Sequence, residues 1–245
     1  MSISSFPGAG NFSRRSRSGG GDQHGLRVVY RNGLPVPPSR TVKSALRDAA
    51  KRCIDVVVSG TALIALAPVL ALLAATVAIS SPGPVLFSQW RIGRNGQKFR
   101  IYKFRTIRID AADESGVRQV IANDPGVTRV GAFMRAKSLD ELPQLFNVLR
   151  GDMSLIGPRP HPVGMKAAGI PYEELVPYYD MRHSVRPGLS GWAQANGFRG
   201  PTLDADAARS RIEHDVAYIQ NQSIWLDVKI VVLTLKHEFL SGSGV

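Results

Sequence analysis

Between Val56 and Ile79 the chain runs 24 residues without a charged side chain. A helix needs roughly 20 apolar residues to cross a bilayer, so the run is long enough. Pro68 sits in its middle. An interior proline removes a backbone hydrogen bond and bends a helix. Three forms fit this pattern: a kinked span, a re-entrant helix–break–helix, and a buried helix of a soluble protein. The flanks favour the second. Arg47, Lys51 and Arg52 precede the run, and Arg91, Arg94, Lys98 and Arg100 follow it. Positive residues prefer the cytoplasmic side, so basic flanks at both ends suit a hairpin that enters and leaves one leaflet. The run starts more than fifty residues in, which excludes a secretory signal peptide.

The rest of the pattern predicts a small mixed domain. Val85–Trp90 and Phe99–Arg105 are β-prone runs on either side of an Asn95-Gly96 turn, which reads as a hairpin. Residues 110–126 are polar and read as a surface loop. Leu142, Leu145, Phe146 and Leu149 recur at i, i+3, i+4 and i+7, the spacing of a buried helix face over 141–150, and Gly151 is its stop. A further helix is predicted at 205–220. A last one, at about 223–240, carries Trp225 and an apolar stripe that suits either a core or a membrane interface.

Charge adds a second layer. The formal net charge is +12, and residues 1–52 supply +8 of it, with ten Lys or Arg against Asp22 and Asp48. Residues 1–41, rich in Ser, Gly, Arg and Pro, read as a disordered basic tail. Such a tail wants an anionic partner, either nucleic acid or an anionic membrane surface. The single Cys53 excludes an internal disulfide. No two of the five histidines stand at metal-ligand spacing.

The segment Lys137–Phe146 carries the candidate chemistry. Asp140 and Glu141 sit where the 141–150 helix should begin, and Pro143 falls in its first turn. A helix N-terminus attracts phosphate and favours an ionised carboxylate. A charged Asp140 there could act as a nucleophile or a metal ligand. The plainer alternative is an S-x-x-E capping box of Ser138 and Glu141. Arg135, Lys137, Arg159, Lys103, Arg105 and Arg199 are the surrounding cations, and arginine grips phosphate with a bidentate fork.

Taken together, several segments resemble the bacterial sugar transferases, the monotopic polyprenyl-phosphate phosphoglycosyl transferases. They are the uncharged run with Pro68; Tyr102-Lys103-Phe104-Arg105; Ser138–Gln144; Asn147–Ser154; Gly157-Pro158-Arg159-Pro160; and Arg186–Gln194. They follow the family's order over about residues 47–240. The resemblance implies an α+β protein, mainly helical with a small β-hairpin. Its re-entrant, Pro-broken helix (42–84) would be embedded in the membrane. A cytoplasmic catalytic domain (85–240) and a flexible end (241–245) would follow. It implies transfer of a sugar 1-phosphate from a UDP-sugar to undecaprenyl phosphate at the cytoplasmic face of the inner membrane, with release of UMP. Asp140 matches the nucleophile, also a Mg²⁺ ligand, with Mn²⁺ as a substitute. Glu141 matches its dyad partner. Lys103, Arg105, Arg135, Arg159, Gln194 and Arg199 are the expected phosphate and substrate contacts. The expected partners are the two substrates and anionic lipids, with no nucleic acid and with a homodimer left open.

Two departures stand out. Ala67 replaces the serine that many members carry before the break, and the chain resembles the short, single-anchor form of the family. His161, the Met181–Arg186 stretch and Asn196–Gly200 look most like the branch that transfers glucose 1-phosphate to begin exopolysaccharide synthesis, with galactose as the nearest alternative. Two other readings compete. A nucleic-acid-binding protein would not carry the 56–79 run. A non-catalytic membrane adaptor of a polysaccharide assembly complex would have lost the dyad or its arginines.

Overall fold

The structure, a computed structural model, describes residues 26–39, 41–111, 124–200, 202 and 204–241. Most of the basic tail, most of the 110–126 loop and residues 242–245 lie outside them. Two short strands, β1 (Tyr30–Arg31) and β2 (Leu34–Pro35), pair around Asn32-Gly33. Both turn residues have positive φ, as a tight turn of this kind requires. Then come the helices α1 (Val42–Ala65) and α2 (Ala67–Ser80), followed by the hairpin β3 (Leu86–Ile92) and β4 (Lys98–Phe104). Helix α3 (Arg129–Ala136) leads through a 3₁₀ turn, Leu139–Glu141, to α4 (Gln144–Arg150) and β5 (Ser154–Ile156). The chain continues through β6 (Lys166–Ala167), β7 (Ile170–Pro171), α5 (Tyr172–Leu175), a 3₁₀ helix at Tyr179–Ser184, and β8 (Gly188–Ser190). It closes with α6 (Trp192–Ala195), α7 (Ala205–Gln220) and α8 (Ile224–Ser241). The fold is mixed and mainly helical, and among the described residues each sheet has two strands.

Helix α1 joins the basic segment to the uncharged run without interruption. Thr41 and Ser44 cap its start reciprocally. Asp55, Ser59 and Leu63 are its buried residues, one stripe at helical spacing. The Asp55 carboxylate accepts from the Leu155 N–H at 3.1 Å, and Arg52 donates to the carbonyls of Val148 and Leu149 at the C-terminal end of α4. Pro68 opens α2, where its missing N–H costs little. Among the described residues no single helix is long and apolar enough to cross a membrane, but α1 and α2 together are, bent by 64° at Leu66.

The predicted hairpin forms, with Leu86 opposite Phe104 and Ile92 opposite Lys98. Helix α4 differs from its prediction. Its buried residues are Gln144, Leu145, Asn147 and Val148, while Phe146 and Leu149 face outward. The cause is Asn147. Its side chain accepts from Tyr102 N–H and donates to Arg100 C=O, which turns that face of α4 onto β4. Two of the expected apolar positions are thereby rotated out. Gly151 ends the helix in the left-handed region, as expected.

Part of the expected tail is instead docked. Gln220 donates to the carbonyls of Val29 and Val36 and accepts from Val29 N–H, and Asn221 donates to Arg27 C=O. Val28 packs against both clusters of the main core. One cluster joins Trp192, Tyr218, Leu226 and Ile230; the other joins Tyr172, Tyr179, Ile212 and Val216. The 205–220 and 223–240 helices form as predicted, as α7 and α8.

Candidate active site

Asp140 and Glu141 lie inside the 3₁₀ turn between α3 and α4, not at a helix N-cap. Ser138 enters that turn with φ of 52° and makes no side-chain cap, so the capping-box alternative fails. Pro143 stands at the N-cap position of α4, three residues after Asp140, with no side-chain cap. Phosphate attraction by a helix start therefore does not organise Asp140. The cations do.

Glu141 is held from two sides. Lys103, on β4, reaches its Oε1 at 2.6 Å, and Arg159 grips both its oxygens, Oε2 at 3.1 Å. Burial pushes the Glu141 carboxyl up, but Arg159 and Lys103 together outweigh it and hold the group well below the usual range. Asp140 stands differently. Its Oδ2 lies 3.9 Å from Lys103 Nζ, at the outer limit of an ion pair. It is 7% exposed, and burial raises its pKa. Lys103 opposes that rise, Glu141 adds to it, and Arg135 and Arg159 oppose it. One carboxylate is locked by cations, and its neighbour sits in their field with its oxygens less engaged. Two carboxylates side by side that differ this way suit two roles.

Arg159 owes its place to a close crossing of strands. β5 and β8 run parallel, Ser154 beside Gly188 and Ile156 beside Ser190. A Cβ on Gly188 would stand 2.1 Å from Gly157 N, and one on Gly191 would stand 2.2 Å from Gly157 O. Only glycine lets these backbones approach so closely. The turn that follows, Pro158-Arg159-Pro160, has little freedom, because proline fixes its own φ and restricts the residue before it. Arg182 then donates to the Arg159 carbonyl at 2.5 Å, and Arg91 donates to that of Pro160 at 3.1 Å. Burial and the charge of Arg159 push Arg91 down to about 9, still a cation at neutral pH, while Glu141 opposes the fall.

Arg182 is itself pinned. Its Nε and Nη2 reach Asp215 Oδ2 on α7 at 3.1 and 2.9 Å, and both side chains are 2% exposed. Beside them His161 shares a 3.0 Å hydrogen bond with the Tyr179 hydroxyl, and burial with the charge of Arg182 pushes its imidazole well down. The sequence motifs assign no site role to Arg91, Asn147, Arg182 or Asp215. For Asp215 a signal existed: it interrupts the apolar stripe Ala208, Ile212, Val216, Ile219 of α7.

The remaining expected contacts divide. Lys103 and Arg159 touch the dyad, and Arg135, in the last turn of α3, contributes to its field. Arg105 does not meet them there. It is buried, and its Nη2 donates to Ser81 C=O at 2.5 Å and to Ser81 Oγ at 3.1 Å. That places a cation at the C-terminal end of α2, where the helix dipole favours it. Arg199 donates to the carbonyl of Gln194 at 3.2 Å, and the Gln194 Oε1 is buried without a hydrogen-bond partner.

With this geometry in view, the chain compares with known proteins as follows. The pattern of the bacterial sugar transferase family matches residues 46–241, and the chain belongs to that family. It is 50% identical over 194 residues to an exopolysaccharide production protein, PSS, of Rhizobium leguminosarum bv. phaseoli, covering 79% of this chain and 97% of that one. It is 44% identical over 219 residues to the UDP-glucose:undecaprenyl-phosphate glucose-1-phosphate transferase of Escherichia coli K12, covering 89% of this chain and 46% of the relative. It is 48% identical over 194 residues to an undecaprenyl-phosphate glucose phosphotransferase of Komagataeibacter xylinus, covering 79% and 36%. The chain thus spans less than half the length of the last two and nearly all of the first.

Proposed function

We propose that this protein transfers glucose 1-phosphate from UDP-glucose to undecaprenyl phosphate, releasing UMP, as the first membrane step of exopolysaccharide synthesis. The observation that carries this reading is the unequal dyad: Glu141 neutralised by Lys103 and Arg159, Asp140 left to react. The names of the E. coli and K. xylinus relatives support the donor and acceptor. Asp140 attacks the sugar-side phosphorus of the diphosphate. A bond forms from its carboxylate oxygen to phosphorus, the pyrophosphate bond breaks, and UMP leaves. A phosphate oxygen of the lipid then attacks the same phosphorus and frees Asp140. Splitting one displacement into two is what a carboxylate nucleophile does. Lys103, Arg135 and Arg159 supply fixed positive charge where the transferring group gathers negative charge.

A divalent cation fits this donor set in one way. Among the described residues no group of three or more His, Cys, Asp or Glu could hold a metal. Glu141 is taken by cations, so Asp140 is the carboxylate available. Mg²⁺ is commonly held by one or two carboxylates plus substrate phosphates, and Asp140 with a diphosphate meets that need. When bound, the ion screens the repulsion between carboxylate and diphosphate.

The helices α1 and α2 support a membrane placement. Their 64° bend and the exposure of Ile64, Leu72 and Ile79 support a re-entrant pair, with the active site at the cytoplasmic face of the inner membrane. The test is direct. Purified protein receives undecaprenyl phosphate and a panel of UDP-sugars, and UMP is measured. UDP-glucose is expected to work best, with UDP-galactose the runner-up. Asp140→Asn is expected to lower turnover at least about a thousandfold. An Asp140→Asn protein that releases UMP at the wild-type rate, free of deamidation, would refute the assignment.

A further inference from the structure

We propose that the outward face of α4, Phe146 and Leu149, is the lane along which the isoprenoid chain of the acceptor lies between the dyad and the bilayer. This rests on the function proposed above and adds the place of the lipid tail. The acceptor joins a phosphate, which must reach Asp140, to a long apolar chain, which must leave the site over apolar surface. The immediate surroundings of the dyad are polar: Lys103, Arg159 and Arg135. Helix α4 begins four residues after Asp140, and Phe146 is 54% exposed on it, with Leu149 one turn further at 38%. Asn147 fixes this orientation, because its bonds to Arg100 and Tyr102 bury the opposite side of the helix.

The stripe is continuous with the segment that enters the membrane. Leu149 Cδ1 would lie 3.9 Å from a Cβ on Gly60, within the uncharged run of α1. Arg52 ties α1 to the last carbonyls of α4. The other arm of the bent pair rests elsewhere: α2 packs through Leu70, Leu73 and Val77 in the cluster that holds Met134 of α3. The arms of the pair therefore rest on α4 and α3, the two helices joined by the dyad turn. On the α4 arm, Phe146 and Leu149 offer exposed apolar surface between the dyad turn and the uncharged run of α1. An isoprenoid chain, uncharged and without hydrogen-bonding groups, matches it.

The experiment compares two acceptors, undecaprenyl phosphate and a short prenyl phosphate of two isoprene units, with the full-length protein in detergent micelles. The variants are Phe146→Ser and Leu149→Ser. The kcat/KM ratio of long over short acceptor is expected to fall between about tenfold and a hundredfold for Phe146→Ser, the range for exposing one large apolar contact. The loss should appear in KM for undecaprenyl phosphate and not in KM for UDP-glucose. A ratio equal to wild type in both variants overturns the lane. So does a fall in activity equal for both acceptors, because it marks a general effect on folding or micelle seating. Should Phe146→Ser fail to fold, Phe146→Gln and Leu149→Gln carry the same ratio. If the wild-type protein releases no UMP with either acceptor, the proposed function fails, a result distinct from an unchanged ratio in an active enzyme.

Discussion

Replacing Asp215 with Asn removes one charge from an ion pair that has almost no contact with water. Asp215 and Arg182 are each 2% exposed, and the guanidinium binds the carboxylate through two nitrogens. The substitution keeps the shape and leaves a buried arginine without its counter-charge. Breaking such a pair from one side costs about 3–5 kcal/mol. For a chain of this size that lowers Tm by roughly 6–20 °C, at about 2–4 °C per kcal/mol. Removing both charges together, as Arg182→Met with Asp215→Leu, should cost less, because no uncompensated charge remains. Thermal unfolding in detergent, followed by circular dichroism, compares the three proteins. The double variant should melt above Asp215→Asn. Both should lose turnover beyond their loss of folded protein, because each disturbs the contact at the Arg159 carbonyl and so the cation that holds Glu141. A Tm within 2 °C of wild type for Asp215→Asn would refute the reasoning.

Other outcomes follow from the same geometry. Burial raises Asp140, and the carboxylate is the reactive form, so activity should be lost as pH falls through a value above the ordinary ~3.9 of aspartate. Arg159→Gln removes one cation opposing that rise and should move the acid limb of the pH–rate curve further up; an unmoved limb contradicts the field described. Excess EDTA should abolish UMP release and added Mg²⁺ or Mn²⁺ should restore it, whereas full activity in EDTA removes the metal from the reaction. Deleting residues 1–36 should lower stability by about 1–3 kcal/mol, from the packing of Val28 and the hydrogen bonds to Gln220 and Asn221. Thermal melts of the two lengths check it, and equal Tm values would show that the docking contributes nothing. Single cysteines at residues 27–39 in a Cys53→Ser background should resist an impermeant maleimide applied to intact cells; labelling from outside would mean that α1 and α2 span the membrane.

The sequence by itself determined the elements whose cause is local. The uncharged run, its break at Pro68, the hairpin around Asn95-Gly96, the stop at Gly151 and the last two helices all depend on nearby residues, and all are present. It also marked Asp140, Glu141, Lys103 and Arg159, since their motifs stand in the family's order. Tertiary structure decided what each cation does. Lys103 and Arg105 are two residues apart, a spacing that puts both on one face of a strand, yet one meets the dyad and the other closes the end of α2. The strand β4 ends at Phe104, so Arg105 lies beyond it and does not keep its period. The outward turn of Phe146 and Leu149 depends on Asn147 meeting a strand 45 residues away in sequence. The docking of residues 26–36 depends on Gln220, 191 residues from Val29. A composition of Gly, Ser, Arg and Pro reads as disorder until a distant helix offers its hydrogen bonds. Such pairings are fixed by which surfaces come together in three dimensions, so a pattern read along one dimension does not contain them.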